Sequence, residues 1–140
     1  MIVLDTHVVS EILRPQPDSC VLQWLDAQVP NELWLTSVVA AELMFGIAKM
    51  PQGARQRQLA QAISNMLEQD FAARVLAFDL NCASVYADLV AKQQSQGRVI
   101  AMADAQIAAA CLANVAQLAT RNSKHFEGLG LTLINPWMTP

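Results

Sequence analysis

Three carboxylates in this chain stand in apolar company with no basic residue at helical spacing: Asp5, Glu42 and Asp104. Asp5 ends the apolar run Ile2-Val3-Leu4. Glu42 lies within Val39-Ala40-Ala41-Glu42-Leu43-Met44-Phe45, and its neighbours three and four residues away are Val38, Val39, Phe45 and Gly46. No intrahelical ion pair is open to it. A capping box with Ser37 would use position 40 instead. Asp104 has Ile100, Ala101, Ile107 and Ala108 at the same spacings. Each acid also has an ordinary reading. Asp5 can cap a helix, Glu42 can lie on a solvated helix face, and Asp104 can complement a helix dipole. Taken together they point further. An unpaired buried carboxylate costs several kcal/mol or becomes protonated. Converging carboxylates repel unless a cation lies between them. Hard oxygen donors without Cys or His suit Mg²⁺ or Mn²⁺, ions that bind phosphate oxygens and activate water.

Asn122 follows Leu118-Ala119-Thr120 and could supply a neutral ligand from a strand end, although Asn is also a common turn residue. Arg121 and Lys124 bracket it and could meet phosphates, or simply be surface charge.

The elements that would position these residues follow from apolar patterning. Residues 2–4 and 33–36 read as buried strands, 75–78 as a third, and 117–120 and 131–134 as the last. Asp5 or Thr6 opens a short helix that ends before Pro15 and Pro17. A second helix carries Val21, Leu22, Trp24 and Leu25. Thr36 or Ser37 caps a helix that runs to about Lys49, where Pro51-Gln52-Gly53 breaks it. Helical periodicity continues over 55–70, from Asp79 or Asn81 to near Gly97, and over 101–113. Strands alternating with helices predict a three-layer α/β/α sandwich on a mainly parallel sheet, with sites beyond the carboxyl ends of its strands.

The 140 residues suit a single domain spanning 1–140, with no repeat, linker or low-complexity tract. Hydrophobic residues make up 54% and charged residues 15%, which excludes a disordered chain. No apolar run is long enough for a membrane span, and the N-terminus does not read as a signal peptide. The net charge of −3 argues against strong non-specific nucleic-acid binding, but not against holding a phosphodiester through cations. Cys20, Cys82 and Cys111 share no metal spacing and are expected as free, mostly buried thiols in a reducing cytoplasm.

Several segments, in this order, resemble the PIN domain: Ile2-Val3-Leu4-Asp5-Thr6-His7, Ala41-Glu42-Leu43, Ala103-Asp104-Ala105-Gln106-Ile107-Ala108-Ala109 and Ala119-Thr120-Arg121-Asn122-Ser123-Lys124-His125-Phe126. The likeness is greatest to VapC- and FitB-type toxins of bacterial toxin–antitoxin pairs, and extends to Asn135-Pro136-Trp137. Each motif is weak alone; their order and spacing are specific. The resemblance implies a Mg²⁺- or Mn²⁺-dependent endoribonuclease, usually a homodimer. It also implies a separate antitoxin that occludes the acidic pocket and carries any binding to operator DNA. On this likeness Asp5, Glu42 and Asp104 are the metal ligands, Asn122 falls where the family has Asp or Asn, and Thr6 matches the small hydroxyl residue after the first Asp. His7 departs from the usual Asn and stays outside the expected catalytic set. Phe126 is expected to pack in the core.

The expected chemistry is hydrolysis of RNA phosphodiester bonds without a covalent intermediate. A carboxylate such as Asp104 would orient water, while Thr6 and Asn122 would position phosphate or metal-bound water. The alternative on this fold is a catalytically inert RNA- or protein-binding module. A phospho-acceptor receiver domain is more distant, because only Asp5 of its residue set is present. The few charges also predict a homodimer through apolar helical surface, with the Trp24–Leu25 and Ala40–Lys49 helices as candidates. A metal-free acidic pocket beside an apolar groove would suit an antitoxin helix that inserts a basic side chain, Arg above all.

Overall fold

Ile2, Val3 and Leu4 are all buried, so the strand they form, β1 (Ile2–Leu4), is covered on both faces. It is the middle strand of a five-stranded parallel sheet in a computed structural model that describes residues 1–138. Its companions are β2 (Leu33–Thr36), β3 (Val75–Leu76), β4 (Gln117–Ala119) and β5 (Leu133–Ile134), in the order β3-β2-β1-β4-β5. Ile2 lies opposite Leu33 on one side and Gln117 on the other, and Leu4 lies opposite Ala119. Asp5 carries the β1–β4 ladder one step further, its N–H donating to the Ala119 carbonyl at 2.9 Å. The chain builds outward from β1 to β3, then returns to the other side of β1 as β4. That reversal opens a crevice beyond the carboxyl ends of β1 and β4.

The crossovers are helical: α1 (Thr6–Ile12), α2 (Ser19–Asp26), α3 (Ser37–Ala48), α4 (Ala54–Asn65), α5 (Leu80–Ser95), α6 (Met102–Ala113) and α7 (Ser123–Phe126). They complete the three-layer α/β/α sandwich predicted from the alternation of patterns. Helix α6 buries Ala105, Ile107, Ala108, Ala109, Ala110 and Cys111. Its small side chains let it lie close against the sheet and α5. Phe126 is 1% exposed and belongs to the core, as expected.

Several expected boundaries shift. The strand expected over 75–78 stops at Leu76, because the Phe78 N–H turns to the Ser37 hydroxyl at 3.2 Å. The last strand shortens to Leu133–Ile134. The helix expected over 55–70 is α4 followed by a π-helical turn at Met66–Asp70. Trp24 points into the core, which removes it from any surface for self-association. Cys82 and Cys111 are buried free thiols, but Cys20 is exposed in the first turn of α2. Among the described residues no helix is long and apolar enough to cross a membrane.

Candidate active site

Asp5 stands at the carboxyl end of β1 and is 4% exposed. Its position there follows from the apolar run before it, and its side chain caps α1. One carboxylate oxygen accepts the Thr6 N–H at 2.8 Å; the other accepts the Thr120 hydroxyl at 2.7 Å. Thr120 is itself fully buried and takes the Asn122 N–H on its hydroxyl oxygen at 3.1 Å. The first carboxylate and the turn after β4 are therefore locked together.

Glu42 is delivered by α3. The Thr36 hydroxyl caps that helix, accepting the Val39 N–H at 3.1 Å, a bond of the kind that contributes about 1 kcal/mol. Glu42 is half-buried, and its Oε1 accepts the Thr6 hydroxyl at 2.7 Å. Thr6 thus bonds two of the three acids, Asp5 through its backbone and Glu42 through its side chain.

Asp104 enters from the first turn of α6. Burial pushes its carboxyl above the ordinary carboxylate range and the Asp5 charge adds to the rise, while His125 and His7 oppose it. The His125 Nδ1 lies 3.3 Å from Asp104. Asp5, Thr6, Glu42, Asp104 and Asn122 all line one cleft of about 340 Å³. Asp5 and Glu42 have no ion-pair partner among the described residues. The acids surround the cleft without closing on a point: among the described residues no three of His, Cys, Asp or Glu form a ready-made metal cluster.

Two expected nucleic-acid contacts lie elsewhere. The Arg121 guanidinium sits 5.0 Å from the Trp137 ring centre and does not line the cleft. Lys124 faces a neighbouring cleft that shares only Asp104 and His125 with this one. His7 is exposed, yet its Nδ1 lies 3.2 Å from the Asn122 amide nitrogen at the cleft rim.

Sequence reasoning missed Thr120, His125 and Lys49 as members of this site. Thr120 was within reach: once β1 and β4 are paired in parallel, Leu4 opposite Ala119 aligns Asp5 with Thr120. His125 lies three residues after Asn122, one turn on. Lys49 lies seven residues after Glu42, two turns along the same helix face. It lines the cleft with its ammonium 5.1 Å from the Phe45 ring centre.

Residues 2–129 match the PIN domain family. The chain is 47% identical over 137 residues to "Plasmid stability protein StbB" of Pseudomonas syringae pv. tomato, covering 98% of this chain and 99% of that one. It is 44% identical to "VapC ribonuclease Y4jK" of Sinorhizobium fredii, covering 98% of each. It is 36% identical to "Toxin FitB" of Neisseria gonorrhoeae, covering 98% of this chain and 99% of that protein. Among solved structures, one described as FitAB bound to an IR36 DNA fragment superposes with a TM-score of 0.92 at 34% identity, covering 100% of this chain and 98% of that one.

Proposed function

This chain belongs to the PIN domain family, and on that premise we propose that it is the toxin of a toxin–antitoxin pair, a divalent-metal-dependent endoribonuclease acting through Asp5, Glu42 and Asp104. The observation that carries this reading is the convergence of the three acids, from three different elements, on one cleft at the topological switch point. The relatives named as a VapC ribonuclease and a FitB toxin support it.

The donor set suits Mg²⁺ or Mn²⁺. It is all oxygen, it carries net negative charge, and its looseness matches an ion that keeps several waters and takes few carboxylates directly. Asp5, Glu42 and Asp104 would hold the ion, which when bound supplies charge neutralisation at phosphate and a lowered pKa for water. The rest is the work of the chain. Thr6 and Thr120 fix the Asp5 carboxylate, and Thr6 fixes Glu42. Asp104 orients the water that attacks phosphorus and takes its proton. The P–O ester bond breaks, its oxygen takes a proton from solvent and leaves as a hydroxyl, and Asp104 returns the proton it took to solvent. Asn122, held by Thr120 and beside His7, positions a non-bridging oxygen. Lys49 brings positive charge to the cleft edge, and among the described residues it pairs with no carboxylate.

An apolar groove runs beside this cleft between α1, α3 and α4, lined by Leu13, Leu43, Ile47, Met50, Leu59 and Ile63, with Glu42 at its edge. It suits an amphipathic antitoxin helix whose Arg reaches the carboxylates and competes with the cation. Operator DNA would be bound through that antitoxin. Met44 and Phe45, both exposed on α3, are apolar surface for a homodimer. An inert holding module would have no use for three converging acids.

The test is incubation of the purified chain with single-stranded RNA in Mg²⁺, in Mn²⁺ and in chelator. Cleavage should require the cation and fall about 100-fold or more in Asp5→Asn, Glu42→Gln and Asp104→Asn. Folded variants that cut like the parent chain would overturn the assignment.

A further inference from the structure

The cleft that takes Lys124 is larger than the one holding the acids, about 590 Å³, and meets it at Asp104 and His125. Its walls are Gln93 from α5, the 98–101 segment leading into α6, and Lys124 and His125 from α7. Nothing in the site described so far uses Gln93 or Arg98.

Gln93 is the informative residue. It is 6% exposed, and among the described residues its side-chain amide has no hydrogen-bond partner. A buried amide left dry and unpaired costs roughly 1–3 kcal/mol. Yet no side-chain nitrogen or oxygen sealed from solvent among the described residues lacks a partner. The Gln93 amide therefore keeps its small exposure where the residue lines open space, and Gln93 lines both this cleft and a second one with Leu89 and Leu112. An otherwise buried amide presented to a cleft offers one acceptor and two donors in a fixed place. That pattern fits a base edge better than a phosphate, which accepts only.

Arg98 and Lys124 supply the complementary charge. The Arg98 N–H donates to the Gln93 carbonyl at 2.9 Å, so the two residues are tied through the backbone. A guanidinium nitrogen of Arg98 lies 3.0 Å from where a Cβ on Gly128 would be, and Gly128 adopts φ +78°. A side chain there would be strained and would crowd Arg98. Neither Arg98 nor Lys124 forms an ion pair with Glu127, the acid on the same cleft. Two basic side chains and an amide that find no side-chain partner among the described residues, together with continuity with the acids, fit a nucleotide next to the scissile phosphate.

We infer that this cleft is a subsite for one nucleotide of single-stranded RNA flanking the cleaved bond, with Arg98 and Lys124 on phosphate and Gln93 on the base edge. The inference rests on the ribonuclease reading and names how that enzyme would hold its substrate.

The experiment is fluorescence anisotropy of labelled RNA hexamers (A₆, C₆, G₆ and U₆) against the full chain in chelator, where no cleavage occurs. Wild type should bind the four hexamers with unequal affinities. Arg98→Ala with Lys124→Ala should weaken all four about 10-fold and lower the salt slope by about 1.4. Gln93→Leu should leave the salt slope unchanged while compressing the spread among the four. Thermal melts confirm that each variant is folded, and Gln93→Glu is a second variant should Gln93→Leu fail to fold. It should alter the order of preference among hexamers. Binding in folded variants that equals wild type, or no hexamer binding by wild type, overturns the subsite. Failure of the ribonuclease reading looks different: the variants lose RNA binding as expected, yet the wild type never cuts RNA with any cation.

Discussion

The Thr120 hydroxyl donates to the Asp5 carboxylate at 2.7 Å across the β1–β4 switch point, joining residues 115 positions apart. Both are buried, so this bond holds the first acid of the site in a fixed orientation. Thr120→Val keeps the shape and removes the donor. Its expected cost is about 1–3 kcal/mol of unfolding free energy, read by urea denaturation, with a fall in Mn²⁺ affinity. Thr120→Ser should recover most of both. A valine variant as stable and as tightly metal-binding as wild type would separate Thr120 from the site.

The raised carboxyl of Asp104 gives a pH signature. Its ordinary value is 3.8, and burial and then Asp5 lift it in the folded chain. A raised folded value means that protonation favours the fold. That contribution is complete below 3.8 and is lost as pH rises through the raised value. Above it, Asp104 adds its charge to a cleft that also holds Asp5 and Glu42, and a cation relieves the repulsion. Added Mg²⁺ should therefore raise the melting temperature more at about pH 7 than at about pH 4. Equal shifts at both would dissociate the cation from these carboxylates.

Thiol reactivity should follow burial. Cys111 is pushed up to about 12, chiefly by burial, and Cys82 is also raised by burial. Cys20 is exposed. Iodoacetamide at about pH 8 should label Cys20 alone in the folded chain, and all the cysteines in denaturant. Mass spectrometry of the digested adducts reads the outcome; rapid labelling of Cys111 in native protein would contradict the packing of α6.

Helix α6 ends in a Schellman arrangement, with Ala116 N–H on the Cys111 carbonyl at 2.8 Å and Val115 N–H on the Leu112 carbonyl at 3.3 Å. Its left-handed position, φ +53°, is taken by Val115, a β-branched residue that is 92% exposed. Gly suits that position and loses little packing. Val115→Gly should stabilise by about 1 kcal/mol, raising the melting temperature by a few degrees. A lower melting temperature would show that Val115 is not held in that conformation.

How much of this was legible follows from where the information resides. The run before Asp5 and the apolar surroundings of Glu42 and Asp104 are local, so the sequence exposes both the acids and the elements that carry them. Register is not local. Thr120 acquires its role only because β4 returns beside β1, and Lys124 and Arg121 separate because α7 turns one toward the cleft of Gln93 and the other side chain stacks on Trp137. The short β3 escaped for the same reason, since a side-chain bond, Ser37 to Phe78, decides where pairing stops. Trp24 illustrates the limit of composition: an apolar residue on a surface-type helix can face inward, and its neighbours in sequence do not say which way.

The central claim is that Asp5, Glu42 and Asp104 act together on one divalent cation, and direct Mn²⁺ binding to the metal-free chain, followed by electron paramagnetic resonance, tests it without reference to any substrate. Wild type should bind the ion at a site that Mg²⁺ displaces. Asp5→Asn, Glu42→Gln and Asp104→Asn should each weaken binding about 10-fold or more, and the double variants should fall well short of the summed losses, because the three ligands serve one ion. Unchanged Mn²⁺ affinity in the folded single variants would contradict the account.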